Sequence, residues 1–486
     1  MRTGTSRKII VLSFLLISPT WARAAPAGGA RGAALAWVDD NKKALFALHR
    51  FVWEAAEVGL EEERSSAEMA RVLGEHGFRV ERGAADMPTA FVASYGSGKP
   101  VIAILAEYDA LPGMSQAAEP RPSPRVEGGA GHACGHSVLG AASAGAAIAV
   151  RYAMESYRIK GTLRLYGTPA EETGIGKTYM VKEGLFSDCD AALHWHPSDR
   201  NVVTYSHSKA VVSVKYTFQG LAAHASFSPQ DGRSALDAVE LMNIGANYLR
   251  EHLKEDARIH YVITAGGGQP NVVPPTAQVW YYLRANSHRD VEALFARMEK
   301  IARGAALMTE TEVKVQVDSD SHELLPNRVI SEILQLNLEE VGPPSFTEAE
   351  REFARKTQEP LVVARGCAFV KALSDSIEPL SAEPDLIRAS TDVGDVSWMV
   401  PTSGIRVACY AQGAPGHSWQ IVAATGMSIG EKGLETAMRT LALSAVDLLQ
   451  KPELVEAAQA ELAERRKKEP YTTLVPKEQK APRRIR

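Results

Sequence analysis

Residues 137–150 read SVLGAASAGAAIAV, and across residues 140–147 no side chain is larger than that of serine. A helix built this way carries almost no bulk, so it can lie close against a sheet and hold the loop before it in one place. That loop, residues 128–137, reads GGAGHACGHS and sets His132, Cys134 and His136 at alternate positions.

The surrounding pattern is that of a layered α/β fold. Helical periodicity covers residues 37–58 and 64–76, and apolar, β-rich runs follow at 90–95 and 100–105, with another at 161–166 beyond the small-residue helix. This alternation predicts a mostly parallel central sheet between helices, with chemistry gathered in loops past the carboxyl ends of strands. Near Ser208 the texture changes. AVVSVKYTFQG, IHYVITAGGG, AQVWYYLRA and EVKVQVDS read as strands, and residues 234–253 and 288–308 read as helices. The order βαββαβ is that of a small ferredoxin-like sandwich. Helix and strand alternation resumes after Pro326 and runs to about residue 449. The expected organisation is a catalytic domain in two pieces, residues 35–207 and 321–450, interrupted by an inserted ferredoxin-like domain at 208–320.

At 486 residues, more than one domain is the default. A formal net charge of −4 gives no general reason to expect a nucleic-acid partner. Arg2, Arg7 and Lys8 precede an apolar run at residues 9–17, and Ala22-Arg23-Ala24 supplies a small-x-small cleavage signal. Residues 1–24 are therefore expected to be a signal peptide, with export to a periplasm and a mature start near Ala25. The run is too short for a stable membrane anchor. Cys134, Cys189, Cys367 and Cys409 are too few and too scattered for a disulfide framework. Residues 465–486 hold nine Lys/Arg, three Pro and little apolar content, and are expected as a solvated, partly disordered tail.

Residues two apart in an extended loop point the same way, so HACGH can aim several side chains at one place. A following helix puts its positive end beside Cys134, favouring a thiolate. Thiolate and imidazole together suit zinc, manganese or another transition ion. A buried cysteine with two hydrogen-bonded histidines is the plain alternative. In TPAEETG a strand delivers Glu171 and Glu172 side by side, able to divide metal binding and general-base work between them. A solvated acidic pair at a helix start would look the same. His194 and His196 repeat the spacing of two in ALHWHP, and His417 lies in the loop GAPGHSWQ. Each histidine alone is commonplace; together the segments supply a thiolate, three or more imidazoles and two carboxylates.

LAEYDALPG, GHACGHS, GTPAEETGIGKTYMVKEGLF, ALHWHP, GLAAHAS, GGGQPNVVPP and PGHSWQ, in this order, resemble the M20 metallopeptidases. The resemblance is strongest to the amidohydrolase branch containing aminobenzoyl-glutamate hydrolases and dipeptidases for β-alanyl-lysine-type substrates. It implies two divalent ions, Mn or Zn, with Cys134 between them. His136 and His196 would complete one site, and Glu172 and His417 the other. Glu171 would be the general base, and Asp109 would orient a ligand from behind. In the inserted domain, His224 would reach the partner subunit's site in a homodimer and steady the tetrahedral oxyanion. Asn271 and Arg284 would hold the substrate's carboxylate or carbonyl. The implied reaction is hydrolysis of an amide in an N-acyl or aminoacyl amino acid, such as an aminobenzoyl-glutamate or a dipeptide. A non-catalytic binding protein on the same scaffold is the alternative of another class. Glu107 and Ser137 depart from the usual pattern. His194 is an extra imidazole beside the expected ligand His196, and His132 is expected near the site but not on a metal.

Overall fold

The computed structural model describes residues 28–366, 368–467 and 469–484. The expected signal peptide and Cys367 lie outside these residues.

Seven strands form one mixed sheet in the order Arg79–Arg82, Phe91–Ser97, Gly161–Gly167, Val101–Ala106, Ala191–Ser198, Thr402–Ala408, Val202–Val203. The four strands from Gly161–Gly167 to Thr402–Ala408 run parallel, and antiparallel strands flank them. VIAILA is buried at every position, as a strand covered on both faces must be. Its alternate residues feed two different cores. Ile102 and Ile104 face a helical layer, whereas Ala103 and Leu105 face the opposite side.

The small-residue helix, His136–Tyr157, lies in that first layer between Gly29–Ala55 and Ser428–Gln450 and against Val101–Ala106. Closeness explains its composition. A Cβ on Gly140 would stand 2.7 Å from the Glu107 carbonyl oxygen, and one on Gly145 would run into Met438 and Leu45. The helix is long and apolar enough to cross a bilayer, but it lies buried in the core. The first helix starts at Gly29, earlier than the periodicity indicated, because Ala30, Ala33 and Ala34 are buried yet too small to register as an apolar stripe.

A second sheet interrupts the first in sequence. Its strands are Ala210–Gln219, Arg258–Ala265, Thr276–Ala285 and Glu312–Ser321, all antiparallel, in the spatial order fourth, first, third, second. Helices Ala235–Leu249 and His288–Thr309 pack on it, capped by Ser234 and Ser287, which accept from the backbone of Asp237 and Asp290. Ala277, Val279, Tyr281, Leu283 and Ala285 are buried while their neighbours alternate outward. The chain enters along Val211 and leaves along Ser321, which are cross-strand partners, so both crossings lie side by side.

The carboxyl-terminal residues correct the expectation of a solvated tail. Tyr471 stacks on His322 at 4.5 Å, and the Leu474 amide donates to Asp320 at 2.6 Å. Gln479 donates to Tyr179 and to the Val317 carbonyl, and Lys480 pairs with Asp86 at 2.8 Å. Val475 and Ala481 are buried. Composition misled because the few apolar residues sit where they can dock, while Arg465, Lys467 and Lys480 find carboxylates and Lys477, Arg483 and Arg484 are exposed.

Candidate active site

Strand ends and adjoining loops deliver the side chains. Glu107 and Asp109 follow Val101–Ala106, and Glu171 and Glu172 sit in the turn after Gly161–Gly167. Cys134 precedes the helix His136–Tyr157, and His417 follows Thr402–Ala408. His194 and His196 lie within the strand Ala191–Ser198 itself rather than beyond it. Alternation puts both on one face, and turns Trp195 into the core, where its indole donates to the Leu139 carbonyl at 3.0 Å.

These groups converge. Cys134 Sγ lies 3.3 Å from His196 Nε2, and His417 Nε2 lies 3.1 Å from Glu172 Oε2. His136 Nδ1 meets Asp109 Oδ1 at 2.8 Å, and the other Asp109 oxygen accepts the Glu172 amide at 3.0 Å. One carboxylate thus orients a residue from each half of the cluster. Three sets of donor atoms lie within 4.8 Å of one another: Cys134, His136 and His196; Cys134, Glu172 and His417; and Glu107, His136 and Glu171. Cys134 belongs to the first two sets.

The donor set fits cations. His136 Nε2 and Glu107 Oε2 are 3.3 Å apart, yet among the described residues neither is in a hydrogen bond, and Glu172 Oε1 is also buried without a partner. Lone pairs left bare in a dry site need a positive charge between them. Charge inside the polypeptide runs the same way. Burial by itself would raise the Cys134 thiol, but the imidazoles of His196 and His136 outweigh it and hold the group well below the ordinary thiol range. Burial, then the neighbouring Glu107 and Asp392, push Glu171 well above the usual carboxylate range. Hydrogen bonds to Cys134 and Glu172 lift His417 to about 10.

The profile of Peptidase family M20/M25/M40 matches residues 103–445. This chain belongs to that family. Among curated relatives, one subunit of the p-aminobenzoyl-glutamate hydrolase of Escherichia coli K12 is 42% identical, over 88% of this chain and 93% of its own length. Xaa-Arg dipeptidase of Mus musculus is 29% identical, over 87% and 90%. Among solved structures, an aminobenzoyl-glutamate utilization protein from Klebsiella pneumoniae superposes with a TM-score of 0.60 at 17% identity, covering 86% of this chain and 98% of that one. A dinuclear metal-binding M20 peptidase from Bacillus subtilis gives 0.53 at 18% identity, covering 85% and 99%. The fold is the M20 fold, and the chain is an M20-family hydrolase.

Within this M20 chain the remaining candidates divide. Arg284 lines a cleft of about 310 Å³ together with Cys134, Glu171, Glu172, His196 and His417. His224 and Asn271 are exposed and next to each other, the Ala225 amide donating to the Asn271 carbonyl, and neither lines that cleft. His194 lines the cleft but joins none of the donor sets. His132 is buried and meets the Val52 carbonyl at 3.0 Å, off the cluster. Sequence reasoning missed three groups. Lys177, fully buried, pairs with Glu107 at 2.8 Å and with Asp392 at 2.6 Å, so it holds Glu107 beside His136. Glu62 accepts the amide of Ala170 at 2.8 Å, capturing a residue in the left-handed region (φ 54°) just before the two glutamates. Lys177 lay in plain view in GTPAEETGIGKTYMV, but nothing local distinguishes a buried lysine from a surface one. Glu62 and Asp392 come from distant segments.

Proposed function

We propose that this chain is a dinuclear metal-dependent amidohydrolase, cleaving the amide between an acyl or aminoacyl group and an amino acid. The observation that carries this reading is the pair of donor sets that share Cys134. Cys134 with His136 and His196 would hold one divalent ion, and Cys134 with Glu172 and His417 the other, Mn or Zn in each case. When bound, such ions supply Lewis acidity toward the scissile carbonyl and acidify the attacking water.

The chain's own residues do the rest. Asp109 holds His136 by Nδ1 and leaves Nε2 turned toward the cluster. Glu171, 3.9 Å from His136 Nε2, takes the proton of the attacking water and returns it to the leaving nitrogen. Arg284 takes a substrate carboxylate. The four-stranded unit acts as a ferredoxin-like lid and as the contact of a homodimer. Supporting this, Leu221, Phe227, Tyr248, Val262, Ile263 and Val272 are exposed on it. His224, outside the cleft of its own chain, would then serve the partner's site with Asn271 beside it. Residues 1–24 act as a cleavable signal, and the working location is a periplasm.

The leading substrate is an aminobenzoyl-glutamate-like amide, supported by the 42% identity to the E. coli hydrolase chain. The second reading, a dipeptidase for β-alanyl-lysine-type or Xaa-basic dipeptides, is supported by the mouse Xaa-Arg dipeptidase. The test is an assay of purified protein on acyl-amino acids and dipeptides with Mn²⁺ or Zn²⁺, before and after exhaustive chelation. Loss on chelation and recovery with either ion is expected. Full activity in a chelated, metal-free sample would sink the proposal.

A further inference from the structure

We propose that Arg406 selects the leaving amino acid, its guanidinium taking a side-chain carboxylate so that the preferred substrates are amides of glutamate or aspartate. This rests on the amidohydrolase reading and narrows it. Arg406 lies on Thr402–Ala408, directly across from His196 in the parallel ladder, as Gly404 lies across from His194. Residues in register on adjacent strands project to the same face, so the guanidinium stands beside the imidazoles of the cluster. It lines the cleft with Arg284. Arg406, Thr204 and Ile387 also line the neighbouring groove of about 570 Å³, so this side chain stands where the two meet.

Arg406 is half-buried, and among the described residues its guanidinium has neither an ion pair nor a hydrogen bond. A guanidinium drawn partly out of water without an anion costs free energy that an arriving carboxylate recovers, in a planar, two-pronged geometry. The cleft's own carboxylates are not available to it. Glu107 is held by Lys177, Glu172 meets His417, and Glu171 is assigned to proton transfer. Arg284, also lining the cleft, donates to Ser390 at 3.1 Å, and its Nε is buried without a hydrogen-bond partner among the described residues. Two guanidiniums call for two carboxylates. The α-carboxylate common to every acyl-amino acid suits Arg284, and where the acyl group is uncharged, as p-aminobenzoyl is, an acidic side chain supplies the second. A substrate with a basic side chain would meet Arg406 as a like charge.

The test holds the acyl group constant and varies the amino acid. The p-aminobenzoyl amides of glutamate, alanine and arginine are assayed with full-length, metal-loaded protein and with its R406A, R406K and R406E variants. Binding of the same three compounds is measured by calorimetry in the Glu171→Gln background. The expected glutamate-over-alanine preference in kcat/KM falls about 10- to 100-fold in R406A, chiefly through KM. R406K keeps part of it, and R406E shifts the preference toward the arginine amide. An unchanged ratio in both R406A and R406E, or a wild-type preference for the arginine amide, overturns the assignment while leaving the hydrolase reading intact. Arg406-dependent binding of the glutamate amide without turnover of any amide supports the anchor and removes the hydrolase. Absence of both turnover and Arg406-dependent binding overturns the two together.

Discussion

The two sheets of this chain stand in opposite relation to water. The seven-stranded sheet is covered on both faces, and all the groups of the cluster rise from its strands or the loops beside them. The four-stranded sheet has helices on one side, an edge strand, Arg258–Ala265, with most residues exposed, and a neighbouring helix on which Tyr248 is 72% exposed. An open, apolar strand edge is a liability unless something pairs with it. A site that must hold bare lone pairs at fixed distances belongs on the first kind of frame. Parts that meet a substrate or a second copy belong on the second.

The sharpest way to break this contrast is at the proposed base. Glu171→Gln is expected to keep the fold and the bound metal and to lose about 10³-fold or more in kcat. Metal analysis and circular dichroism beside the assay separate the two effects, and near-normal turnover would remove Glu171 from its role. The frame comes next. Gly145→Val, which must displace Met438 or Leu45, should cost about 1–3 kcal/mol in denaturant unfolding. A neutral result would mean the small-residue helix is not pressed as tightly as described.

The carboxyl-terminal segment bridges the two units, touching Glu292 and Val317 on one side and Tyr179 and Asp86 on the other. Ending the chain after Lys467 should lower stability by about 2 kcal/mol from the lost burial of Val475, Ala481 and Tyr471, and split calorimetric unfolding into two transitions. One unshifted transition would show that the segment rides on the surface. The smallest effect on stability is expected at the exposed edge. Val262→Lys combined with Tyr248→Glu should change unfolding by no more than about 1 kcal/mol, yet convert a dimer to a monomer in analytical ultracentrifugation. A wild-type monomer, or a dimer indifferent to both changes, removes this surface from the proposal.

Much of this was legible in the chain. Eight small residues in a row, strands with periods of one face or two, and paired donors at spacing two all advertise themselves locally, since each follows from backbone geometry alone. Local pattern singled out His132, Cys134, His136, the Glu171–Glu172 pair, His194 with His196, and His417 as candidates. The choice of His196 over His194, and of His417 as a ligand, follows only from the resemblance to the M20 metallopeptidases. Lys177 could not be singled out, because a lysine is a buried ion-pair partner only if Glu107 and Asp392 fold around it. The tail was misjudged on the same ground. Average composition counts Tyr471 and Val475 as two apolar residues among many cations, whereas their effect depends on His322 and the core they meet.

The order of residues alone determined which groups were on offer: a cysteine between two histidines, further histidines and two adjacent carboxylates, set beside segments of fixed periodicity. Tertiary structure decided which of those groups share a space, that Asp109 ties the two halves of the cluster together, and that Arg406 lines the cleft with no carboxylate partner among the described residues. The reason is range. Backbone geometry acts over a few residues, but a bare lone pair or an unpaired charge is defined by everything packed around it, and those neighbours come from the whole length of the chain.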